Sequence, residues 1–322
     1  MMKHVADYFA RLSKGFGRGW DRFWFTPSDP VTLSAVRLLT GLVVVYLHAT
    51  LAFDLIAFFG PQGLLPAADI APLEGNTLSY LNYVHSPLEL WIVHLLGLAV
   101  LVLFTAGVFT RASSIGALIV FLSDVNRAPM ITGRTEVVVA MLLLYLCLGP
   151  SGRRFSVDAF MRARKGPLLR ETPPLSTAAT VATRLIQVHL ALLVAMMGFS
   201  QLAGDVWWSG LGLWFLVTRE SRLVDFTWLH ASPKVLDFWA HVVVLYEFAF
   251  AVLIWAPLAR PILLALGVAV WTSLALVTGD ITFALVMCIA SVAFVSPALL
   301  NQLTDRFGRT SPAPAHPAPA KS

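Results

Sequence analysis

Charge is scarce in this sequence. Only 13% of its 322 residues are Asp, Glu, Lys or Arg, about half the fraction typical of a soluble domain. With 57% hydrophobic residues and a mean hydropathy of +0.75, a water-soluble globule is excluded and a lipid bilayer is the expected solvent. Cysteine is almost missing. Cys147 and Cys288 both sit in apolar runs, which reads as two small buried hydrophobes rather than a disulfide or a metal site. No His or Cys spacing suits a metal, no Gly-rich phosphate loop is present, and no repeat period emerges. A haem held by two buried histidines would need paired positions on facing helices, which spacing alone does not establish. The net charge of +5 is dispersed in short clusters between apolar runs, so it does not build the basic face that nucleic acid requires. No cleavable apolar core follows the positive N-terminal stretch, so no signal peptide is expected.

What is present is a series of apolar runs long enough to cross a membrane, which takes about 20 residues each as helix. Residues 1–30 come first as an amphipathic interfacial segment, with Lys3, Arg11, Lys14, Arg18 and Arg22 among Phe9, Phe16, Trp20, Phe23 and Trp24. A transmembrane domain over 31–305 follows, read as an all-α polytopic bundle of about eight spans. They are placed at 31–58, 87–109, 112–123, 135–148, 178–202, 235–255, 262–278 and 281–300. Asp29 or Thr32 is the expected cap for the first, and Thr177 or Thr180 for the fifth. Residues 306–322 form a Pro/Ala-rich tail with nothing to bury, expected to be disordered.

The basic clusters assign the sides. Arg153, Arg154, Arg162, Arg164 and Lys165 are the densest group and belong in the cytoplasm, whereas residues 59–86 hold no Lys or Arg and form an outer loop. Eight spans then leave both termini cytoplasmic, in what is expected to be a bacterial cytoplasmic membrane. Arg127 with Arg134, in the polar stretch Asp124 to Glu136 between two short spans, departs from the charge rule. That stretch is either an outer hairpin at the headgroups or an interrupted-helix site. Trp207, Trp208, Trp214, Phe215 and Trp228, interleaved with charges, predict an interfacial helix between Ala203 and Pro233.

Ionisable groups inside the spans are costly in lipid and should face protein or water. Arg37, Gly41, Val44 and His48 share one helical stripe, which should point into the bundle. By depth, His48, His94 and His241 fall in the outer half and Glu247 near the middle, with Glu89 at the outer end of the second span. These five, with Gln201, are the candidate ligand-binding residues, expected to line one cavity open to the outer side. Helical phase opposes this in part, because residues six apart, such as His241 and Glu247, point about 120° from each other. Alternatively, each polar group only hydrogen-bonds a neighbouring helix and locks the bundle.

Two stretches carry a family resemblance. MGFSQLAGDVWWSG, residues 197–210, is similar to the segment A-G-x-K-K-L, acidic stretch, Trp and Gly of the vitamin K-dependent γ-carboxylases and the wider HTTM-domain membrane proteins. Phe155 to Asp158, FSVD, resembles the family's Y-W-S-V-D pattern. The resemblance implies an HTTM-like membrane domain, and a lysine pair acting as the base that deprotonates a hydroquinone. Those lysines fall here on Ser200 and Gln201, neither of which is a base near neutral pH. The family's Asn-His pair falls at about Arg134 and Thr135, and nothing after the last span corresponds to its luminal domain. Vitamin K-dependent carboxylation is therefore not expected. The sequence leaves two expectations: a membrane protein binding a quinone-like or lipid small molecule from the outer side, or a non-catalytic membrane assembly partner. It designates no catalytic residue, cofactor or oligomeric state; the bilayer is its one certain partner.

Overall fold

The computed structural model describes residues 2–60, 63, 64, 79–164 and 174–308, with the side chains of 2–13, Met130 and 304–308 left aside. Among these residues the fold is all-helical, and the single extended contact is an isolated bridge between Ser28 and Ser176. The helices are α1 (Met2–Phe25), α2 (Val31–Leu51), α3 (Leu55–Phe59), α4 (Pro87–Ala106), α5 (Thr110–Arg127), α6 (Arg134–Leu148) and α7 (Val157–Arg164). After them come α8 (Thr177–Leu202), α9 (Asp205–Trp208), α10 (Leu211–Val217), α11 (Pro233–Leu253), α12 (Arg260–Thr278), α13 (Ile281–Ser291) and α14 (Pro297–Gly308).

The boundaries follow local chemistry. Before α4, Ser86 Oγ accepts from Glu89 N at 3.2 Å while Glu89 Oε2 accepts from Ser86 N at 3.3 Å, a capping box with Pro87 in the first helical position. Gly107 ends α4 in the left-handed conformation, φ 71°. Asp29 Oδ1 accepts from Val31 N at 2.9 Å at the start of α2. At α8 the expected threonine caps are replaced by Ser176, which accepts from Ala179 N at 3.4 Å. Thr180 instead hydrogen-bonds Thr26 O at 2.6 Å across to the end of α1.

Five helical segments are long and apolar enough to span a bilayer, and six if a bent pair is counted as one span. They are Val31–Phe59, Pro87–Ala106, Thr177–Leu202, Pro233–Leu253 and Arg260–Thr278, with Ile281–Phe294 plus Pro297–Leu303 as the bent pair. The sequence reading of a straight eighth span is corrected here: the chain turns by 110° after Phe294, where Pro297 begins a new helix. α6 has 15 residues, about 22 Å of helix against about 30 Å of hydrocarbon. α5 is longer than its apolar run, because Asp124, Asn126 and Arg127 continue the helix instead of leaving it. The predicted single interfacial helix after Ala203 is broken into α9 and α10 by Gly210, whose φ is 71°, and Leu213 and Val217 of α10 pack with Leu236 and Ala240 of α11. At the C-terminus α14 extends to Gly308, three residues into the predicted tail; the rest of that tail lies outside the described residues.

Successive long helices pack side by side and antiparallel. The end of α2 meets the first half of α4 and the end of α5, and the start of α8 meets Gly149 after α6. One end of the bundle gathers the basic segments. There Arg154 pairs with Asp29 at 3.6 Å, Arg184 donates to Phe23 O at 3.2 Å, and Asp158 accepts from Phe109 N at 3.0 Å and Thr110 N at 2.9 Å. Partial burial pushes the Asp158 carboxyl up, but the Thr110 hydroxyl, these two amides and the nearby Arg162 charge outweigh it and hold the group below the usual carboxylate range. The other end gathers Arg134 with Asp280 at 3.7 Å, Ser221 with Thr278, and Ser79 with Ser123. The core between them is aliphatic and aromatic, with Trp271, Phe104, Phe250 and Leu142 among its fully buried members.

Candidate functional site

The stripe on α2 is buried over its whole length: Arg37, Gly41, Val44 and His48 all face the bundle. At its basic end Arg37 is 0% exposed without a carboxylate in hydrogen-bonding contact. Its guanidinium donates to Phe104 O at 2.8 Å, to Thr105 O at 3.0 Å and to Phe155 O. Phe104 and Thr105 are in the last turn of α4, where carbonyls lack helical partners and the helix dipole is negative, so the cation answers both needs.

At the opposite end of the stripe His48 meets two other helices. Its Nδ1 is 2.7 Å from Asp124 Oδ2 on α5, and its Nε2 is 3.1 Å from the carbonyl of His94 on α4. The carbonyl only accepts, so Nε2 carries a hydrogen. A bare Nδ1 cannot sit 2.7 Å from a bare carboxylate oxygen, so a second proton lies between the ring and Asp124. The pair thus holds a mobile proton as either imidazolium with carboxylate or imidazole with carboxylic acid. His94 stacks on His48 with centroids 4.2 Å apart and an interplanar angle of 14°, and Trp91 meets its edge at 6.0 Å. The approach depends on Gly97, where a Cβ would stand 3.1 Å from His48 Nε2.

A cavity of about 210 Å³ opens beside this pair. His48, Asp124, Glu136, Thr50 and Thr132 supply its polar groups, and Leu51, Phe59 and Phe121 are among its apolar walls. It lies at the end of the bundle away from the basic clusters. The residue before the 3-10 turn Tyr80–Tyr83, Ser79, is tied to Ser123 beside it by a 2.8 Å hydroxyl contact, and Tyr80 N donates to Ser123 Oγ at 3.0 Å. Burial in this corner, with the Asp124 charge nearby, pushes the Tyr80 phenol above its ordinary range.

The remaining candidates fall elsewhere. Gln201 Nε2 on α8 donates to Glu247 Oε1 on α11 at 3.1 Å. Glu247 is 0% exposed, and its Oε2, Gln201 Oε1 and the Tyr246 hydroxyl are buried without a partner. Both carboxamide and carboxylate orphans are acceptors, so the cluster suits a hydrogen-bond donor. Ser200, the other position of the family's lysine pair, is exposed. His241 keeps to its own helix, with Nδ1 2.8 Å from Asp237 O and Trp208 at its edge at 5.1 Å. Glu89 is the exposed half of the α4 capping box. The six candidates therefore sit in separate groups: His48 with His94, Gln201 with Glu247, and His241 and Glu89 each alone; no described hydrogen bond, ion pair or ring contact joins the groups.

The polar stretch between α5 and α6 divides in two. Arg134 faces Asp280, and Glu136 accepts from Gly133 N at 2.6 Å, as in a hairpin. Asp124 turns inward to His48, as in a site. Sequence reasoning placed Asp124 in a polar cluster but did not pair it with His48; no spacing could, since the two are 76 residues apart. Sequence reasoning missed the capping role of Glu89 and counted it among the ligand-binding residues, although Ser86, Pro87 and Glu89 before an apolar run spell a capping box. No family model, curated protein or solved structure matches the chain.

Proposed function

We propose that this multipass membrane protein binds a hydrophobic small molecule with a polar ring substituent, quinone-like or lipid, in the cavity lined by His48 and Asp124. The observation that carries the reading is the protonated His48–Asp124 pair, 2.7 Å apart, in the wall of an otherwise mainly apolar cavity. An apolar pocket with few convergent polar groups is the usual form of a small-molecule site. Both protons of the pair are already taken, by Asp124 and by the His94 carbonyl, so what it offers a ligand is the second carboxylate oxygen of Asp124, a charge-assisted acceptor for a hydroxyl. Gln201 and Glu247, which do not line this cavity, are proposed as a separate polar site that suits a donor group. The HTTM-like scaffold is proposed on residues 155–158 and 197–210 alone. Carboxylation is not part of the proposal, because neither Ser200 nor Gln201 supplies the amine.

Detergent-purified protein, extracted and analysed by mass spectrometry, is expected to release a small molecule absent from a mock purification. Asp124→Asn keeps the shape of the pair but not its charge. Loss of a charge-assisted hydrogen bond of about 1.5–3 kcal/mol corresponds to about a tenfold to hundredfold loss of occupancy, at unchanged folded yield. Equal occupancy in wild type and Asp124→Asn would remove the site from this cavity. A wild-type extract with no such molecule would favour the second reading, a non-catalytic assembly partner. That reading is supported by Arg37, His48 and Gln187, which all reach backbone carbonyls of neighbouring segments and so bind helices together.

The proposed topology crosses the bilayer eight times, with both termini in the cytoplasm of a bacterial cell. It is supported by the antiparallel order of the helices and by Arg153, Arg154, Arg162 and Arg164 at one end. Single cysteines at Tyr83 and Arg153, both exposed, in a background lacking Cys147 and Cys288, are expected to label from opposite sides of the membrane. Gly152 would be a poor choice, since a Cβ there meets Thr110 Oγ1 at 2.1 Å. Labelling of both from one side contradicts eight spans.

A further inference from the structure

A second cavity, of about 190 Å³, lies at the basic end of the bundle, where α2, α8, the start of α12 and the bend between α13 and α14 meet. Two guanidiniums line it, Arg184 from α8 and Arg260 from α12, close enough for Arg184 to feel the Arg260 charge. Each is positioned by neutral oxygens rather than carboxylates, backbone carbonyls for Arg260 and one carbonyl plus a carboxamide for Arg184. Arg184 donates through Nε to Phe23 O at 3.2 Å and through Nη1 to Gln187 Oε1 at 2.8 Å, and lies 4.3 Å over the Phe23 ring. Arg260 donates through Nε to Ile254 O at 3.2 Å and through Nη2 to Trp255 O at 3.3 Å. This leaves Arg184 Nη2 and Arg260 Nη1 without a protein acceptor among the described residues, and neither is sealed from solvent. Thr32, 3% exposed, adds a buried hydroxyl with no partner to the same wall. The carboxylate in the lining, Asp29, is already engaged by Arg154 at 3.6 Å, Asn301 at 2.9 Å and Val31 N at 2.9 Å.

Two like charges with no protein carboxylate bonded to either among the described residues repel, so the arrangement suits a ligand with negative charge and several acceptor oxygens, which is the chemistry of a phosphate group. The surroundings select its source. Phe23 and Trp255 pack on each other at 5.8 Å and Trp24 on Phe23 at 5.1 Å, an aromatic group of the kind that lies at headgroup depth. Leu258, in the turn before α12, and Ile262, in its first turn, are exposed apolar side chains, 87% and 67%. We infer that Arg184, Arg260 and Thr32 form a binding site for the phosphodiester headgroup of an anionic phospholipid in the leaflet on the basic side, independent of the His48 cavity.

The test uses the full-length protein in detergent, its thermal unfolding followed with added dioctanoyl phosphatidylglycerol, dioctanoyl phosphatidylcholine or inorganic phosphate at matched ionic strength. Phosphatidylglycerol is expected to raise the wild-type Tm in a saturable way, as any ligand specific for the folded state does, while the other two do not. The R184Q/R260Q variant should need about a hundredfold more phosphatidylglycerol, from the loss of two charge-assisted contacts. R219Q, an exposed change at the other end, should respond as wild type does. An unchanged response in R184Q/R260Q, or an equal response to phosphatidylcholine, overturns the site. A shift with inorganic phosphate alone makes it a free-anion site and overturns the lipid assignment. If the double variant does not fold, native mass spectrometry of wild type and R260Q decides. Phosphatidylglycerol retained in preference to phosphatidylcholine by wild type and lost in R260Q supports the site; equal retention by both overturns it.

Discussion

Arg37→Gln is expected to cost about 3–5 kcal/mol, the range seen when a buried charged group is taken from its partners, and to lower the yield of monodisperse protein at least about tenfold. The guanidinium joins the start of α2, the last turn of α4 and the turn at Phe155 before α7. A glutamine is too short to reach all three carbonyls and carries no charge for the negative end of α4. Each carbonyl left unmatched in a water-poor interior costs about 1–3 kcal/mol. Nearby space is tight as well, since a Cβ on Gly107 would stand 2.5 Å from Arg37 Nη1. Arg37→Lys should fall between wild type and Arg37→Gln, because an ammonium keeps the charge but not the planar fork. Unfolding in detergent, followed by tryptophan fluorescence, measures both. A Tm for Arg37→Gln equal to that of wild type would show that the three bonds are not holding the helices together.

Gly279→Ala is expected to be the most damaging single methyl in the turns at the end of the bundle away from the basic clusters, at about 3 kcal/mol. Gly279 ends α12 with φ 77°, and a Cβ there would lie 2.0 Å from the backbone oxygen of Ser221. Left-handed backbone costs an ordinary residue about 1–2 kcal/mol. The collision adds to this, because Ser221 cannot retreat without releasing its hydroxyl bond to Thr278 O, 2.8 Å, and the bond from Leu223 N to Leu276 O, 2.9 Å. That segment is the lid of residues between α10 and α11, so proteolysis there should accelerate together with the fall in Tm. Gly204→Ala is the control, since a Cβ at Gly204 meets nothing within 4 Å. Equal Tm for the two variants would mean that the turn at Gly279 opens freely.

Much of the architecture was readable because it depends on local sums. A run such as Val31 to Phe59 is apolar whatever it packs against, and the cost of exposing a peptide group to lipid forces it into helix. Periodicity likewise placed Arg37 and His48 on one buried face of α2, and charge counting separated the end with Arg153 and Arg154 from the end with Tyr80 and Ser221. Less was readable where neighbours decide. The apolar run after Asp280 looked like one long span, yet a bend of 110° follows Phe294, because Gln187 Nε2 takes the carbonyl of Ala293 at 2.6 Å and Pro297 starts a new helix. The cap of α8 went to Ser176 over the threonines because the antiparallel bridge to Ser28 fixes Ser176 as the last extended residue.

By itself, then, the sequence determined that the chain lives in a bilayer, that it is helical, which residues of α2 turn inward and where positive charge accumulates. These follow from hydropathy, a 3.6-residue period and the cost of moving a cation through lipid, and none of them needs a partner. Only the tertiary structure decided that His48 shares a proton with Asp124 from another helix, that Glu247 bonds Gln201 while His241 turns to Asp237, and that Arg184 and Arg260 stand together with no carboxylate bonded to either among the described residues. Those facts are relations between segments up to 76 residues apart, as for His48 and Asp124. The physical reason is that a hydrogen bond selects its partner by ångström-scale distance and angle, which emerge only once helices have packed.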